Sequence, residues 1–309
     1  MKKKIFIDGS AGTTGLRIAE RLAQRDDLEI LTIPEEKRKD IPTKKAIINS
    51  ADVVFLCLPD TASVESVALV ENPDTVVIDA STAHRTLAGW AYGFPELDES
   101  FEEKVKTSKR IAIPGCHASG FIALVYPLIK AGILDKNALV SCHSLTGYSG
   151  GGKAMIAEYE SREKNALLGA PRHYAIAQQH KHLKEMKAIT GLDIAPVFSP
   201  IVCDFYSGML VTVPLFASQI NGTIDDIKAV YAKTYQGEIV QYKENLDENG
   251  FISALALSGK DSMYITVTGN GDRMVLTALY DNLGKGASGA GVECMNIAIG
   301  ADRKTGLVL

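Results

Sequence analysis

The residues best suited to covalent chemistry lie in Ile113-Pro114-Gly115-Cys116-His117-Ala118-Ser119-Gly120, which an apolar helical run follows through Ala131. Pro-Gly before the cysteine and a helix after it put Cys116 at a helix N-terminus. There, unpaired amides and the helix dipole favour thiolate, the nucleophilic form. The same amides can donate to an oxyanion formed on an attacked carbonyl. A cysteine is more often a small buried hydrophobe, and Cys57, Cys142, Cys203 and Cys294 take that reading. A thiolate mechanism needs a base that takes and returns a proton near neutral pH, which suits imidazole. Gln179-His180-Lys181-His182-Leu183-Lys184-Glu185-Met186 offers two, and Glu185 lies close enough in sequence to orient one of them. As a His-x-His metal pair the segment lacks further ligands, so no metal is expected.

Glycine-rich loops form the second group. Gly9-Ser10-Ala11-Gly12-Thr13-Thr14-Gly15 directly follows a first strand and opens a first helix. Glycines there permit a tight turn and let amides approach a pyrophosphate at the positive helix end. The spacing is GxxGxxG, and its position after an N-terminal strand is what makes it a dinucleotide signal. After strand two, where a ribose would lie, come Pro34-Glu35-Glu36-Lys37-Arg38-Lys39. The cations Lys37, Arg38 and Lys39 can pair with a 2′-phosphate, so NADP(H) is favoured over NAD. Gly147-Tyr148-Ser149-Gly150-Gly151-Gly152-Lys153 can form an anion-binding nest of amides, with Ser149 and Lys153 adding a donor and a charge. In Asn282–Gly291 the small residues allow close approach to a ligand, and Ser288 is placed to cap the last helix.

These loops need elements to hold them. Strands are expected at Lys4–Ile7, Leu28–Ile33, Val53–Leu58 and Val76–Asp79. Helices are expected at Thr14–Arg25, with Leu16, Ala19, Leu22 and Ala23 on one face, and at Thr61–Val70. Such alternation implies parallel pairing, and the non-alternating run Val53–Leu58 implies a sheet covered on both faces. From about Leu139 the texture shifts to Ala195–Val202, Met209–Phe216, Met263–Thr268 and Arg273–Tyr280, with helices at Lys181–Thr190, Thr223–Tyr235 and Ser288–Ile299. Gly269-Asn270-Gly271-Asp272 is a hairpin signal. The fold class is therefore α/β: a Rossmann-type parallel-sheet NADP-binding domain plus an α+β domain with a mainly antiparallel sheet. The boundaries are 1–115 with 286–309, and 116–285.

The chain has 309 residues, 46% of them hydrophobic and 23% charged, and a formal net charge of −4, which argues against nucleic-acid or membrane partners. No apolar run reaches the roughly 18 residues of a membrane helix. The basic start turns apolar for only a few residues before Asp8, so it reads as a strand rather than a signal peptide. An odd number of scattered cysteines, without a CxxC pair, fits a reducing cytoplasm.

Taken in order, these segments resemble the short form of N-acetyl-γ-glutamyl-phosphate reductase over nearly the whole chain. The likeness includes the Gly9–Gly15 loop, Asp79-Ala80-Ser81-Thr82-Ala83-His84-Arg85, Tyr92-Gly93-Phe94-Pro95-Glu96-Leu97, Pro114-Gly115-Cys116, Gly147–Lys153, His180 with His182 and Glu185, and Lys285-Gly286-Ala287-Ser288-Gly289. The resemblance implies a Rossmann domain closed by the C-terminal helix and a second domain for catalysis and subunit contact, in a homodimer or homotetramer. It implies reversible NADPH-dependent reduction of N-acetyl-glutamyl 5-phosphate to the 5-semialdehyde and phosphate, towards arginine. Cys116 matches the nucleophile and His180 the base, with Glu185 behind it. By the same resemblance, Ser81 and the Gly286-Ala287-Ser288-Gly289 stretch would face the cofactor, and Ser149 with Lys153 the substrate phosphate. Arg85, Arg162 and Arg172 are candidates for the substrate carboxylate. Departures are Cys-His-Ala-Ser, where longer members carry Tyr-Pro-Thr after the cysteine, and the absence of a proline before Glu185. Rivals are an aspartate-semialdehyde dehydrogenase-like enzyme, a Cys–His hydrolase or acyltransferase, and a redox-sensing NADP-binding regulator.

Overall fold

The structure, a computed structural model, describes residues 2–38 and 40–309. It divides into two compact units. The first contains the chain up to Pro95, Glu99–Pro114 and Ala287–Leu307, and the second contains Glu96–Asp98, Gly115–Gly286 and the last two residues.

The first unit opens with β1 (Lys3–Asp8), α1 (Thr13–Leu22), β2 (Leu28–Leu31), α2 (Ile41–Ser50), β3 (Val53–Leu56), α3 (Asp60–Ala68), β4 (Val76–Asp79), β5 (Ala91–Tyr92), α4 (Glu99–Thr107) and β6 (Arg110–Ala112). The strands form one parallel sheet in the order β2-β1-β3-β4-β6-β5. β3 explains its own non-alternating sequence. Val53 and Phe55 pack with Ile5, Ile18 and Ile78 on one face, while Val54 and Leu56 pack with Phe6, Ile48 and Val77 on the other. Each such burial contributes roughly 1.5–3 kcal/mol.

Two local readings change, and one helix, α2, carried no reading in the sequence. Leu16 and Ala23, both expected on the inner face of α1, are exposed, Leu16 at 52%, whereas Leu22 is buried as expected and Ile18 is buried beside it. A Cβ at Gly15 would sit 2.3 Å from the Gly9 carbonyl oxygen, so Gly15 must face the sheet. Positions three and seven further on follow it inward, and Leu16 is rotated off that face by one residue. β3 ends at Leu56, so Cys57 lies just beyond it. α2 had no clear amphipathic signal because Ile48 is its only buried residue; it is set by Asp40, whose side chain accepts from Thr43 N, and by Pro42 in its first turn.

The second unit contains α5 (Cys116–Lys130), β7 (Ser141–Gly147), α6 (Gly152–Glu160), β8 (Arg172–His173), α7 (His182–Thr190), β9 (Val197–Cys203), β10 (Met209–Phe216), α8 (Ile224–Thr234), β11 (Val240–Tyr242), β12 (Met263–Gly269) and β13 (Arg273–Tyr280). The seven strands run in the order β11-β12-β13-β10-β7-β9-β8. Pairing is antiparallel except between β7 and β9 and between β11 and β12, so the sheet is mixed. The expected hairpin joins β12 to β13, with Asn270 Oδ1 accepting from the amides of Asp272 and Arg273. α5 and α8 cover one face of the sheet; Tyr231 and Tyr235 bind them together by donating to the carbonyls of Leu124 and Ala123.

The chain then passes through a π-helical turn, Gly284–Ser288, into α9 (Gly289–Ile299). In the first unit α9 buries Ala290, Val292 and Met295 in the same core as Ile5 and Phe55, which is the closing role expected of the last helix. Ser288 does not cap it. Its backbone is already helical and its side chain makes no cap hydrogen bond, because the π turn runs straight into α9.

Candidate active site

Cys116 is the first residue of α5, and its thiol is half-buried. The preceding Gly115 is the N-cap of the helix and has no side chain with which to bond its first amides. The residues on either side of the sulfur are fixed from a distance. Glu185, buried at 2% exposure, accepts the Gly115 N–H at 2.8 Å, which ties α7 to the cysteine turn. Gly286 lies against the cysteine itself: a Cβ there would be 3.2 Å from the Cys116 Cβ. The turn that carries Gly286 is pinned by buried Lys285, which reaches both carboxylate oxygens of Glu96 at 2.7 and 2.8 Å.

The other cysteines are poor nucleophiles by environment. Burial, reinforced by the carboxylates of Asp79 and Asp8, pushes the Cys57 thiol up to about 12. Burial also raises Cys142 and Cys203, and Cys294 is fully buried with its sulfur against the Gly93 carbonyl.

Three imidazoles gather around His117, the residue after Cys116. The His117 ring lies 5.8 Å from that of His180 and 5.5 Å from that of His182, and His180 and His182 are 4.7 Å apart. Burial lowers His180 to about 4, with the Lys181 charge adding to the effect. Burial, with His180 beside it, lowers His117 to about 3. His180 Nδ1 accepts from the His182 amide at 3.2 Å, which leaves the hydrogen of the neutral ring on Nε2. His117 is held at both nitrogens, by Ser144 Oγ at 2.6 Å and Tyr174 OH at 2.7 Å. Burial first, and the nearness of Cys116 second, push the Tyr174 phenol up. His117, Ser144 and Tyr174 had no assigned role in the sequence; His117's place directly after Cys116 was the one available signal. Among the described residues no group of three or more His, Cys, Asp or Glu side chains is arranged to hold a metal.

In the first unit the Gly9–Gly15 loop turns tightly from β1 into α1. Gly9 has φ +86°, and a Cβ there would strike the Cys57 carbonyl oxygen at 2.4 Å. Gly12 caps α1 without a side-chain bond, and the first turn carries no acidic residue, so the positive helix end is open to an anion. Ser10, Thr13 and Thr14 lie on this loop and first turn. The Ser81 hydroxyl donates to Asp79 Oδ2 at 2.6 Å, within a buried cluster that also holds His84. Arg38 pairs with Glu35 at 2.8 Å on the surface; Lys39 lies outside the described residues.

The remaining candidates are more dispersed. Tyr148 N and Ser149 N donate to the carbonyls of Phe205 and Tyr206, so this part of the expected anion nest is instead used to dock the loop. The Ser149 hydroxyl is buried and accepts from Asn282 Nδ2 at 3.0 Å, while Lys153 is exposed on α6. In the first unit, Arg85 donates to the carbonyls of Ile113 and Ala80. Arg172 donates to Tyr159 OH, and Arg162 is exposed.

Residues 4–106 match the family described as "Semialdehyde dehydrogenase, NAD binding domain", and residues 116–282 match "Semialdehyde dehydrogenase, dimerisation domain". The parallel-sheet unit and the mixed-sheet unit with its helix-borne cysteine are thus those of the semialdehyde dehydrogenase class. The fold is similar to aspartate semialdehyde dehydrogenase II from Vibrio cholerae at TM-score 0.73, with 15% identity over 97% of this chain and 98% of that one. It is also similar to aspartate semialdehyde dehydrogenase with NADP from Candida albicans at TM-score 0.67, with 16% identity over 96% and 98%. In sequence the chain is 44% identical to N-acetyl-gamma-glutamyl-phosphate reductase of Rhizobium meliloti (strain 1021), over 97% of this chain and all of that protein. It is 42% identical to N-acetyl-gamma-glutamyl-phosphate reductase 2 of Nostoc sp., over 99% of each. The chain belongs to the N-acetyl-γ-glutamyl-phosphate reductase family.

Proposed function

We propose that the protein catalyses reversible NADPH-dependent reduction of N-acetyl-L-glutamyl 5-phosphate to N-acetyl-L-glutamate 5-semialdehyde and phosphate, a step towards arginine. The observation that carries the reading is a half-buried thiol at the glycine-capped start of α5, followed in the chain by a cluster of imidazoles in which burial keeps His117 and His180 neutral. The family's name supports the substrate. We assign cofactor binding to the first unit, through the Gly9–Gly15 loop and the start of α1, and catalysis to the second.

The Cys116 sulfur attacks the acyl carbon, the bond to phosphate oxygen breaks, phosphate leaves and a thioester remains. Amides at the start of α5 stabilise the oxyanion formed on the way. Bound NADPH supplies the hydride that reduces the thioester carbon. The resulting thiohemiacetal oxygen takes a proton and gives it back as the carbon–sulfur bond breaks, freeing aldehyde and thiolate. We assign that proton to His180, which takes it at Nδ1 from the Cys116 thiol as the sulfur attacks, breaking its bond to the His182 amide, and is neutral again once the proton returns to the freed thiolate. Glu185 holds the Gly115 turn, so its role is to keep the sulfur in register.

A steady-state assay in the oxidative direction tests the function. Semialdehyde, phosphate and NADP should give absorbance at the nicotinamide band, with NAD and with aspartate semialdehyde both slower. Faster turnover of aspartate semialdehyde would give the substrate to the rival family, and no absorbance change with either would leave a hydrolase.

The outer face of the second unit's sheet supports an oligomer. Leu139, Val197 and Phe216 are 69%, 62% and 61% exposed around a hollow of about 530 Å³. An apolar surface of this kind marks a protein interface. We assign it to a second copy of the chain, in a homodimer or homotetramer. Among the described residues no helix is long and apolar enough to cross a membrane. The cysteines are free, which supports a cytoplasmic setting.

A further inference from the structure

We propose that Tyr280 is a positioning residue for Cys116, its hydroxyl clamping the first turn of α5 so that the amides at the helix start stay turned on the sulfur. The proposal rests on Cys116 being the nucleophile.

Tyr280 is the last residue of β13 and is fully buried. Its hydroxyl donates to the Cys116 carbonyl at 2.5 Å and accepts from the Gly120 N–H at 3.0 Å. These are the carbonyl and amide, four residues apart, that an α-helix pairs with one another. One phenol from a strand 164 residues away in sequence therefore sits astride the turn that begins at the nucleophile. The site is made for it. A Cβ at Gly120 would lie 2.7 Å from the phenol oxygen, so any larger residue there would displace the hydroxyl. Burial and the nearby Cys116 raise the phenol well above its ordinary range, so it stays a protonated donor.

The first turn of a helix is where fraying begins, because its amides have no intrahelical acceptors. For a thiolate those amides are the ligand field, and they act only while they converge. A donor on the Cys116 carbonyl also polarises the peptide between Cys116 and His117, which leaves the His117 N–H a stronger donor at the helix start. The same strand end serves the cysteine twice. Past Tyr280, Asp281 Oδ1 accepts from the amides of Leu283 and Gly284, shaping the turn that lays Gly286 against Cys116.

Tyr280→Phe in the full chain keeps the ring and removes the hydroxyl. Two quantities are read: kcat with both KM values, and the pH profile of iodoacetamide alkylation mapped to Cys116 by peptide mass. The expected result is a kcat about tenfold lower, the scale of one buried hydrogen bond. KM for NADP should stay unchanged, and the alkylation midpoint should move to higher pH. A purely structural role would lower the amount of folded protein without moving the midpoint. Kinetics and midpoint matching wild type would overturn the proposal. If Tyr280→Phe does not fold, 3-fluorotyrosine placed at 280 gives a stronger donor of nearly the same shape. The midpoint should then fall, and an unmoved midpoint overturns the clamp. Wild-type turnover that survives full alkylation of Cys116 would instead overturn the nucleophile assignment, and the clamp with it.

Discussion

His117 is held neutral by burial, with His180 beside it adding to the effect, and that sets a pH dependence on the whole chain. Its ring falls from an ordinary 6.5 to about 3 in the folded state, while the unfolded chain protonates it at the ordinary value. Between those limits the unfolded state binds the extra proton, so stability falls as pH drops through that window. One group of this kind contributes about 1.4 kcal/mol per pH unit, so about 2 kcal/mol is lost from pH 6.5 to 5. Urea unfolding across that range should show a steeper loss for wild type than for His117→Gln; parallel curves would mean that His117 titrates normally in the folded protein. The site residues were legible unevenly. Cys116 stood out because Pro-Gly and a helix pattern surround it. Ser144, Tyr174 and Tyr280 carried no signal, since each reaches α5 from 27 or more residues away through sheet register.

At the scale of elements, the parallel sheet was readable because β3 and β4 are apolar on both faces, and the glycine loop because it directly follows β1. What escaped depended on contacts the sequence does not order. The inner face of α1 turned on Gly15 meeting the Gly9 carbonyl, which moved Leu16 outward. In the Gly147–Lys153 loop, which reads as an anion nest, the Tyr148 and Ser149 amides take the carbonyls of Phe205 and Tyr206 as acceptors. Ser288 reads as a cap until the π turn before it makes the helix continuous. In each case a local rule was overridden by backbone arriving from elsewhere in the chain.

At the scale of the whole molecule, α5 and α8 pack on one face of the mixed sheet, and the alternate residues of its strands point to the other. Across it runs a row formed by Thr266, Thr277, Thr212, His143 and Ser199, paired in register from β12 to β9. Val275, Pro214 and Val197 flank it as an apolar row. A second copy packed on this surface is expected to be disrupted by charge. Light scattering should find Phe216→Asp at half the mass of wild type or less, with its circular dichroism unchanged; an unaltered mass would move the interface elsewhere.

The nucleophile can be observed directly. With semialdehyde and NADP but no phosphate, the cycle should stop at the acyl-enzyme after one equivalent of NADPH has formed. Mass spectrometry should then find the N-acetylglutamyl group on the peptide that contains Cys116, and Cys116→Ser should give neither the burst nor the adduct while still binding NADPH. An adduct on another residue, or Cys116→Ser turning over at the wild-type rate, would contradict the mechanism at its root.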